Sequence, residues 1–536
     1  MKAKKWLMLV LALAVALTCL AGCGGKGGND EVATGSAITY NGDDIYPIQC
    51  EDTLRYWMGL DVGTAQTVEN FGDTPLAKKL EENTGIKIAY EHPTQGQGDE
   101  QFQLLLAGDN LPDIVGYNWI SYPGGPQAAI NEGYIYNLND IIDKYAPALS
   151  KVLSENPDWD KEIKDDNGDY YAFPFMMEEG ILQVAFGPIW RGDWLEKAGL
   201  DVPETIDEWE NALTVFKNQF GATEPLTGTW DTVLKIESAY GIWDGFYLNG
   251  DKVVFGPAEP AYKDVLAKLH DWYEKGILDS DIAVNDSSAV NTKMTTGKSG
   301  VTFGWAGSGL GAYVKANEGN PNYKLVGSRY PVITKGETPE YSYVSGTVNM
   351  GVSVSISKNC INPELAARYL DYGFTEEGHN LYNFGIEGES YNWVEKDGEQ
   401  YPGYTDIILN NPDGLSITAA MGRYIRASYS GPFVQDTHYI EQYYQMQEQK
   451  DAQKEWGVTN MNDHLFPQIS VAADVSDRDA DIMTNVGTYR EELTLKFITG
   501  EKSLDEFDEY IDQLKAYGIE EAIQNRQDAY DRYLTK

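Results

Sequence analysis

From Thr53 onward the chain alternates short apolar runs with amphipathic helices that carry their own start and stop signals, the pattern of an α/β fold. Thr53 to Met58 reads as a strand. Thr74-Pro75 then opens a helix with a capping hydroxyl and a proline in its first turn. Leu76 and Leu80 share one face of it, and Asn83-Thr84-Gly85 closes it before the strand Ile86 to Tyr90. A helix from about Glu100 to Ala107 is stopped by the proline after Leu111, and Asp113-Ile114-Val115 enters a buried strand. Tyr170 to Pro174 and Ile181 to Ile189 read as extended. Thr205-Ile206-Asp207-Glu208 is a capping box whose helix turns Trp209, Leu213 and Phe216 inward. Pro260 to Lys275 is helical, Gly300 to Trp305 a strand, and Val348 to Ser357 alternates apolar with small or polar residues. Asn362-Pro363 caps a further helix. Ser503-Leu504-Asp505-Glu506 is a capping box that predicts one long helical tail to Leu534. No internal repeat of solenoid length is present.

The first residues are of another kind. Lys2, Lys4 and Lys5 precede an apolar run from Trp6 to Leu20, the charged and hydrophobic regions of a secretory signal, too short to read as a membrane span. The run ends in Leu20-Ala21-Gly22-Cys23, which resembles the bacterial lipobox. Residues 1–22 are then a lipoprotein signal peptide, and Cys23 receives a diacylglycerol; the plainer alternative is an ordinary signal with an incidental cysteine. Two or more acyl chains on one residue hold a protein stably at a membrane. Residues 23–50 form the lipidated end and a Gly-rich flexible tether, placing the protein on the outer face of the cytoplasmic membrane with only its lipid in the bilayer.

The remainder, about 490 residues, exceeds what one hydrophobic core usually serves, so two lobes are expected. A net charge of −42 argues against nucleic acid and anionic lipid surfaces as partners. Cys19 leaves with the signal and Cys23 is lipidated. Cys50 and Cys360 remain; they could form a disulfide in an exported protein, but their separation in sequence carries no distance. No spacing of cysteines or of the five histidines matches a zinc or iron–sulfur site.

Several segments, in this order, resemble the extracellular solute-binding proteins (family 1) of carbohydrate ABC importers. They are Ala107-Gly108-Asp109-Asn110-Leu111-Pro112-Asp113-Ile114-Val115, Tyr171-Ala172-Phe173-Pro174-Phe175, and Ile189-Trp190-Arg191-Gly192-Asp193-Trp194-Leu195 with its continuation through Gly199-Leu200 to Val202-Pro203-Glu204-Thr205-Ile206-Asp207-Glu208-Trp209. Gly297-Lys298-Ser299-Gly300-Val301 and Gly385-Ile386-Glu387-Gly388 follow. Ile498-Thr499-Gly500-Glu501-Lys502-Ser503-Leu504 and Gln527-Asp528-Ala529-Tyr530-Asp531-Arg532-Tyr533 are similar to the long lipoprotein branch that includes the alginate-binding proteins. Each piece is weak alone, and their order and spacing carry the likeness. Gly192 departs from the family's usual Lys or Arg, and the Gly385 to Trp393 turn is short. The resemblance implies a two-lobed periplasmic-binding-protein-like fold (type II) with ligand in the cleft between lobes. The first lobe is then 51–175 completed by 345–400, the second 176–344 completed by 401–536, with crossings near Phe173 to Val184, Val344 to Gly351, and Tyr401. It also implies a monomer that is not an enzyme and needs no cofactor, capturing an oligosaccharide by hinge closure and delivering it to the membrane subunits of an ABC importer.

Sugars present apolar C–H faces and a rim of hydroxyls, so such a cleft needs flat aromatic platforms with polar groups between them. Of thirteen tryptophans, all but Trp6 lie in the mature chain. Trp57, Trp119, Trp243, Trp305 and Trp393 follow predicted strands or sit in Gly-rich turns, which makes them the candidate platforms. For Trp57 and Trp119 core and cleft compete evenly, whereas Trp305, before Ala306-Gly307-Ser308-Gly309, is favoured for the ligand. Trp194, Trp209 and Trp272 at helical spacing are core. Arg191 at a helix start is disfavoured by the dipole, so it either holds a ligand group or pairs with Asp193. Glu387, before Tyr391 and Trp393, either accepts sugar hydroxyls or is a solvated turn carboxylate. Tyr117, Asn118, Arg423 and Arg426 are lesser candidates.

Asp165, Asn167 and Asp169 place side-chain oxygens at alternate positions around Gly168, like half a calcium loop, but the bidentate Glu at the twelfth position is missing. The alginate-binding relatives carry a structural calcium in this part of the chain, while an Asx-type turn is the competing and preferred reading. Two other functions fit an acidic, aromatic-rich secreted chain. A glycoside hydrolase needs two carboxylates across a cleft, one protonated, and pairs such as Glu178-Glu179 are too abundant to discriminate. A surface adhesin would use its aromatics on a flat face.

Overall fold

The structure, a computed structural model, describes residues 35–42, 44–396, 398–426 and 430–536. The signal segment and the expected lipidation site Cys23 lie outside the described residues. Among the described residues no helix is long and apolar enough to cross a membrane.

The strands of the two main sheets are, in chain order, β1 Thr53–Trp57, β2 Lys87–Glu91, β3 Ile114–Gly116, β4 Phe173–Met177, β5 Phe186–Arg191, β6 Val301–Trp305, β7 Leu325–Gly327, β8 Val348–Ile356 and β9 Phe433–Gln435. Six of them form one sheet in the order β9-β4-β8-β3-β1-β2, and β6-β5-β7 form an antiparallel second sheet. β1 runs parallel to both β2 and β3, which requires crossovers; the helices Pro75–Thr84 and Gly98–Ala107 supply them. β8 is antiparallel to its neighbours β3 and β4, as expected of a strand that returns from elsewhere. Two large cores form, and the first reaches Ile189 and Leu325 of the second sheet. Leu54, Ile114, Phe173 and Ile356 belong to the first, and Trp190, Trp209, Leu266, Trp272 and Phe303 to the second.

Local signals place the helices. Thr74 Oγ1 accepts the Ala77 amide at 3.0 Å, and the helix ends on the left-handed Gly85. The Thr205 capping box forms, with Glu208 reaching back to the Thr205 amide at 3.2 Å. Trp194, Trp209 and Trp272 are all buried. The tail differs from expectation. Ser503 caps only a short 3-10 turn, and two helices follow, Phe507–Tyr517 and Ile519–Leu534. Gly518 between them has φ 103°, a left-handed conformation that interrupts the helix and that a side chain would strain. The longest helix, Ala473–Thr499, has no capping hydrogen bond from a side chain at its start, which removes the usual sequence cue.

The chain crosses between the lobes from β4 to β5 and returns before β8. The two crossing segments are tied together: the Met177 amide donates to the Thr347 carbonyl at 2.8 Å and the Ser345 amide to the Gln183 carbonyl at 3.0 Å. The third crossing lies beyond Gln435, not near Tyr401. β9 still pairs with β4, and Ile408, Met421 and Tyr424 pack in the first core. Only after this does the helix Gln447–Trp456 settle on the second sheet, with Trp456 Nε1 donating to the Pro188 carbonyl at 3.1 Å. Gly187 makes the contact possible, because a Cβ there would lie 2.4 Å from the Trp456 ring. At the far end of the chain Arg532 Nε meets Asp166 of the first lobe at 2.5 Å.

Candidate functional site

A cavity of about 780 Å³ opens beside the crossing segments. Trp305, the last residue of β6, forms one wall and is 44% exposed. Phe186 and Tyr343 meet it edge to face with ring centroids 5.2 Å away, holding the indole in place. Trp243 forms another part, largely covered, with the Lys235 ammonium 4.5 Å from its ring centre and Tyr330 against its edge. Gln183, Ser345, Thr347, Asn349 and Gln468 add amides and hydroxyls. Several are already oriented by the backbone or by neighbours: Thr347 Oγ1 accepts from Trp159 Nε1 at 3.0 Å, and Gln468 Oε1 from the Met350 amide at 2.9 Å. A rigid ring beside pre-aimed polar groups suits a flat, hydroxylated ligand.

Glu162, Glu179 and Asp244 give this cavity an acidic wall. Burial pushes Glu162 up to about 7, with Asp158 adding to the shift. Burial also raises Asp244, but Lys235 and Arg490 outweigh it and hold that carboxyl below its usual range. Arg490 Nη2 lies 2.6 Å from Asp244 Oδ1.

A second, smaller cavity of about 380 Å³ lies at the ends of β1 and β3 and is lined by Met58, Gly59, Tyr117, Gly351 and Arg426. Asn349 borders the larger cavity and Gly351 the smaller. The two are two residues apart on β8, or about 7 Å at strand rise. Ligands of open α/β sheets sit outside the carboxyl ends of parallel strands, which is where β1 and β3 end.

The expected site residues divide. Trp305 and Trp243 border the larger cavity and Tyr117 the smaller, its ring stacked on Phe102 at 3.6 Å between centroids. Trp57 and Trp119 are core residues instead: both pack on Phe102, at 6.0 and 5.3 Å, and Trp119 is fully buried. The helix that carries Phe102 covers the sheet where these rings emerge. Arg191 takes the second of its two expected roles, the ion pair with Asp193. Its Nε and Nη2 bind the two Asp193 oxygens at 2.8 and 2.9 Å, and its guanidinium lies between Trp194 and Tyr323. Glu387 and Trp393 line a different cavity of about 710 Å³ in the first lobe, with Lys79, Asn83 and Glu377, and do not join Trp305. Asn118 Oδ1 is buried without a hydrogen-bond partner. Sequence reasoning passed over Tyr343, Gln183, Asn349 and Gln468. The crossing from Val344 to Gly351 was the available signal, since polar residues on a hinge strand face the cleft it spans.

In both metal candidates most of the oxygens are already engaged, and Asp165 Oδ2 is buried with no hydrogen-bond partner among the described residues. In the loop at 165–169, Asp165 Oδ1 accepts the amides of Asn167 and Asp169, both at 2.9 Å, which is an Asx turn. Asn167 donates to Gln127, Asp169 accepts from Asn139, and Asp166 binds Arg532. Burial raises the Asp165 carboxyl, and the Asp169 and Asn167 amides oppose that shift. Glu224, Asp279 and Asp281 bring carboxylate oxygens within 4.8 Å of one another. The Lys293 ammonium stands among them, at 3.6, 2.7 and 3.2 Å. Burial pulls Lys293 down, but its bonds to Asp279 and Asp281 win and hold it charged, so the cluster has its cation built in. Cys50 and Cys360 are both free thiols.

The model of the bacterial extracellular solute-binding protein family matches residues 69–380. The chain is 25% identical, over 99% of both sequences, to the fructooligosaccharide ABC transporter substrate-binding protein FusA of Streptococcus pneumoniae serotype 4. It is 21% identical, over 98% of its own length and 99% of the relative's, to the polygalacturonan/rhamnogalacturonan-binding protein YtcQ of Bacillus subtilis. Among solved structures, alginate-binding protein AlgQ2 superposes with a TM-score of 0.68 at 23% identity, covering 89% of this chain and 98% of that one.

Proposed function

This chain belongs to the bacterial extracellular solute-binding proteins, and we propose that it captures an oligosaccharide in the cleft bordered by Trp305 and hands it to an ABC importer. The observation that carries this reading is Trp305 itself. A half-exposed indole, braced by Phe186 and Tyr343 and facing a cavity rimmed by amides and hydroxyls, is a platform for a sugar ring. The relatives' names add the class: FusA is described for fructooligosaccharides and YtcQ for polygalacturonan and rhamnogalacturonan.

Trp243, Tyr343 and Tyr117 extend the platform, and Gln183, Asn349 and Gln468 supply hydrogen bonds to hydroxyls. The mechanism is hinge closure. Contacts from both lobes are completed only in the closed form, so ligand shifts the population towards it. The importer's membrane subunits then read the closed lobes. Cys23 carries the lipid that keeps the protein at the outer face of the membrane, and the protein acts as a monomer without a cofactor.

The test is a thermal-shift screen of neutral and acidic oligosaccharides on the mature chain. Binding raises the melting temperature of the free protein, and the same sugars should do so without being consumed. A panel in which no saccharide shifts the transition overturns the reading. Hydrolysis has one observation in its favour, a carboxyl protonated up to about 7 at Glu162 bordering the same cavity as Glu179. Incubation of each bound sugar with the protein should release no new reducing ends; their release assigns the cleft to catalysis.

A further inference from the structure

Among the described residues the deeply buried cations are paired with carboxylates, with one exception. Arg191 meets Asp193 at 2.8 Å, Lys293 meets Asp279 at 2.7 Å and Arg490 meets Asp244 at 2.6 Å. Arg426, only 7% exposed, has no carboxylate partner among the described residues. Its Nη1 points to the Met58 sulfur at 3.2 Å, its Nη2 to the Tyr56 hydroxyl at 3.3 Å, and its Nε has no acceptor among the described residues. The Phe71 ring lies 5.1 Å away. A guanidinium does not lose its charge in a protein, and a charge removed from water without a counter-charge is strongly destabilising.

What distinguishes Arg426 from the paired cations is its place. It borders the smaller cavity, together with Tyr117, Gly59 and Gly351. A Cβ at Gly59 would meet nothing within 4 Å, so this wall is open. A Cβ at Gly431 would lie 2.6 Å from Arg426 Nε, so the backbone there closes directly on the guanidinium and leaves the cavity as its approach. Glu162, Glu179 and Asp244 border the Trp305 end, where Asp244 is already paired with Arg490. Arg426 borders the smaller cavity with Asp61, whose carboxylate accepts the amide and hydroxyl of Thr64 and does not pair with the guanidinium.

We infer that Arg426 receives a carboxylate of the captured saccharide, so that the ligand carries a uronic acid ring at the β1–β3 end of the cleft and neutral rings beside Trp305. This rests on the oligosaccharide reading above. A planar guanidinium fork matches a carboxylate with two parallel hydrogen bonds, and the Tyr117 ring offers the flat face against which the same sugar ring lies. The neutralisation of a buried charge supplies selectivity that a hydroxyl in the same position cannot.

The experiment pairs uronate-containing oligosaccharides (galacturonate, mannuronate and glucuronate types) with their methyl esters, which keep the ring and remove the charge. Affinities are measured by calorimetry on the mature chain and on Arg426→Gln and Arg426→Lys. At least one acid should bind tenfold or more tightly than its ester. Arg426→Gln should abolish that ratio while leaving the ester's affinity within a few fold, and Arg426→Lys should restore part of it. Should a variant fail to fold, the ratio on the unmodified protein decides alone. Esters or neutral oligosaccharides that bind as well as every acid, in a Trp305-dependent manner, overturn the inference and leave the oligosaccharide reading standing. Failure of every sugar, charged or neutral, to bind defeats that reading itself.

Discussion

Trp119 and Trp305 follow strand ends in the two lobes, and their surroundings are opposite. Trp119 comes after β3, a strand inside the six-stranded sheet, and is fully buried against Phe102 and Tyr122. Trp305 ends β6, at the edge of the three-stranded sheet, and stays 44% exposed between Phe186 and Tyr343. A strand end aims a ring towards the cleft, and whether the ring arrives there depends on what the neighbouring chain lays over it. In the first lobe the helix Gly98–Ala107 brings Phe102 over both Trp57 and Trp119.

The contrast is open to direct attack. Trp119→Ala should cost about 3–5 kcal/mol, the usual price of removing a fully buried aromatic, seen as a large drop in the melting temperature of the free protein. A small drop would place this ring outside the core. Trp243→Ala is the intermediate case, since the ring is 8% exposed yet borders the cavity. It should lower stability by about 2 kcal/mol and weaken sugar binding several fold, and the loss of only one property assigns it to one side. Trp305→Ala should weaken binding tenfold or more, roughly 1.5–3 kcal/mol of lost apolar contact, with the free protein's melting temperature nearly unchanged. An equal loss of stability would make Trp305 a core residue like its counterpart.

Two smaller effects sharpen the comparison. Burial holds the Glu162 proton up to about 7 against an ordinary value of 4.5. Over that window the folded protein binds more protons than the unfolded chain. Stability from this group is therefore full below about 4.5 and lost as pH rises through about 7. Glu162→Gln should fall less in melting temperature across the same window, and an unchanged slope would mean that the carboxyl is not held protonated. Trp393→Ala should change neither stability nor binding by more than about 0.5 kcal/mol, because its ring is 47% exposed and borders a separate cavity.

Capped elements were readable from short stretches because their signals act locally. The Thr74 and Thr205 hydroxyls bind amides three residues on, and the helical spacing of Trp209 and Trp272 carried them into the core. The ring choices were half readable. Trp305, singled out for the glycines that follow it, borders the larger cavity, while Arg191, an oddity at a helix start, is bound by the nearby Asp193. The polar cleft residues escaped notice because Gln183, Asn349 and Gln468 are ordinary in isolation, and only the crossings of three separate segments bring them to one cavity. The third crossing was placed too early because nothing local marks the moment when a chain changes lobes. β9 is three residues long and is held in the first sheet by β4, some 250 residues earlier.

The order of strands and capped helices, the size that demands two cores, and the membership in a solute-binding family were all determined by the sequence alone, because they depend on periodicity, neighbouring hydrogen bonds and motif order. The tertiary structure alone decided which rings are covered, that Lys293 fills the acidic cluster, and that Arg426 borders a cavity with no carboxylate paired to it among the described residues. Those outcomes depend on partners tens to hundreds of residues away. Burial and charge pairing are properties of the space around a side chain, and the spelling of the chain near it does not contain them.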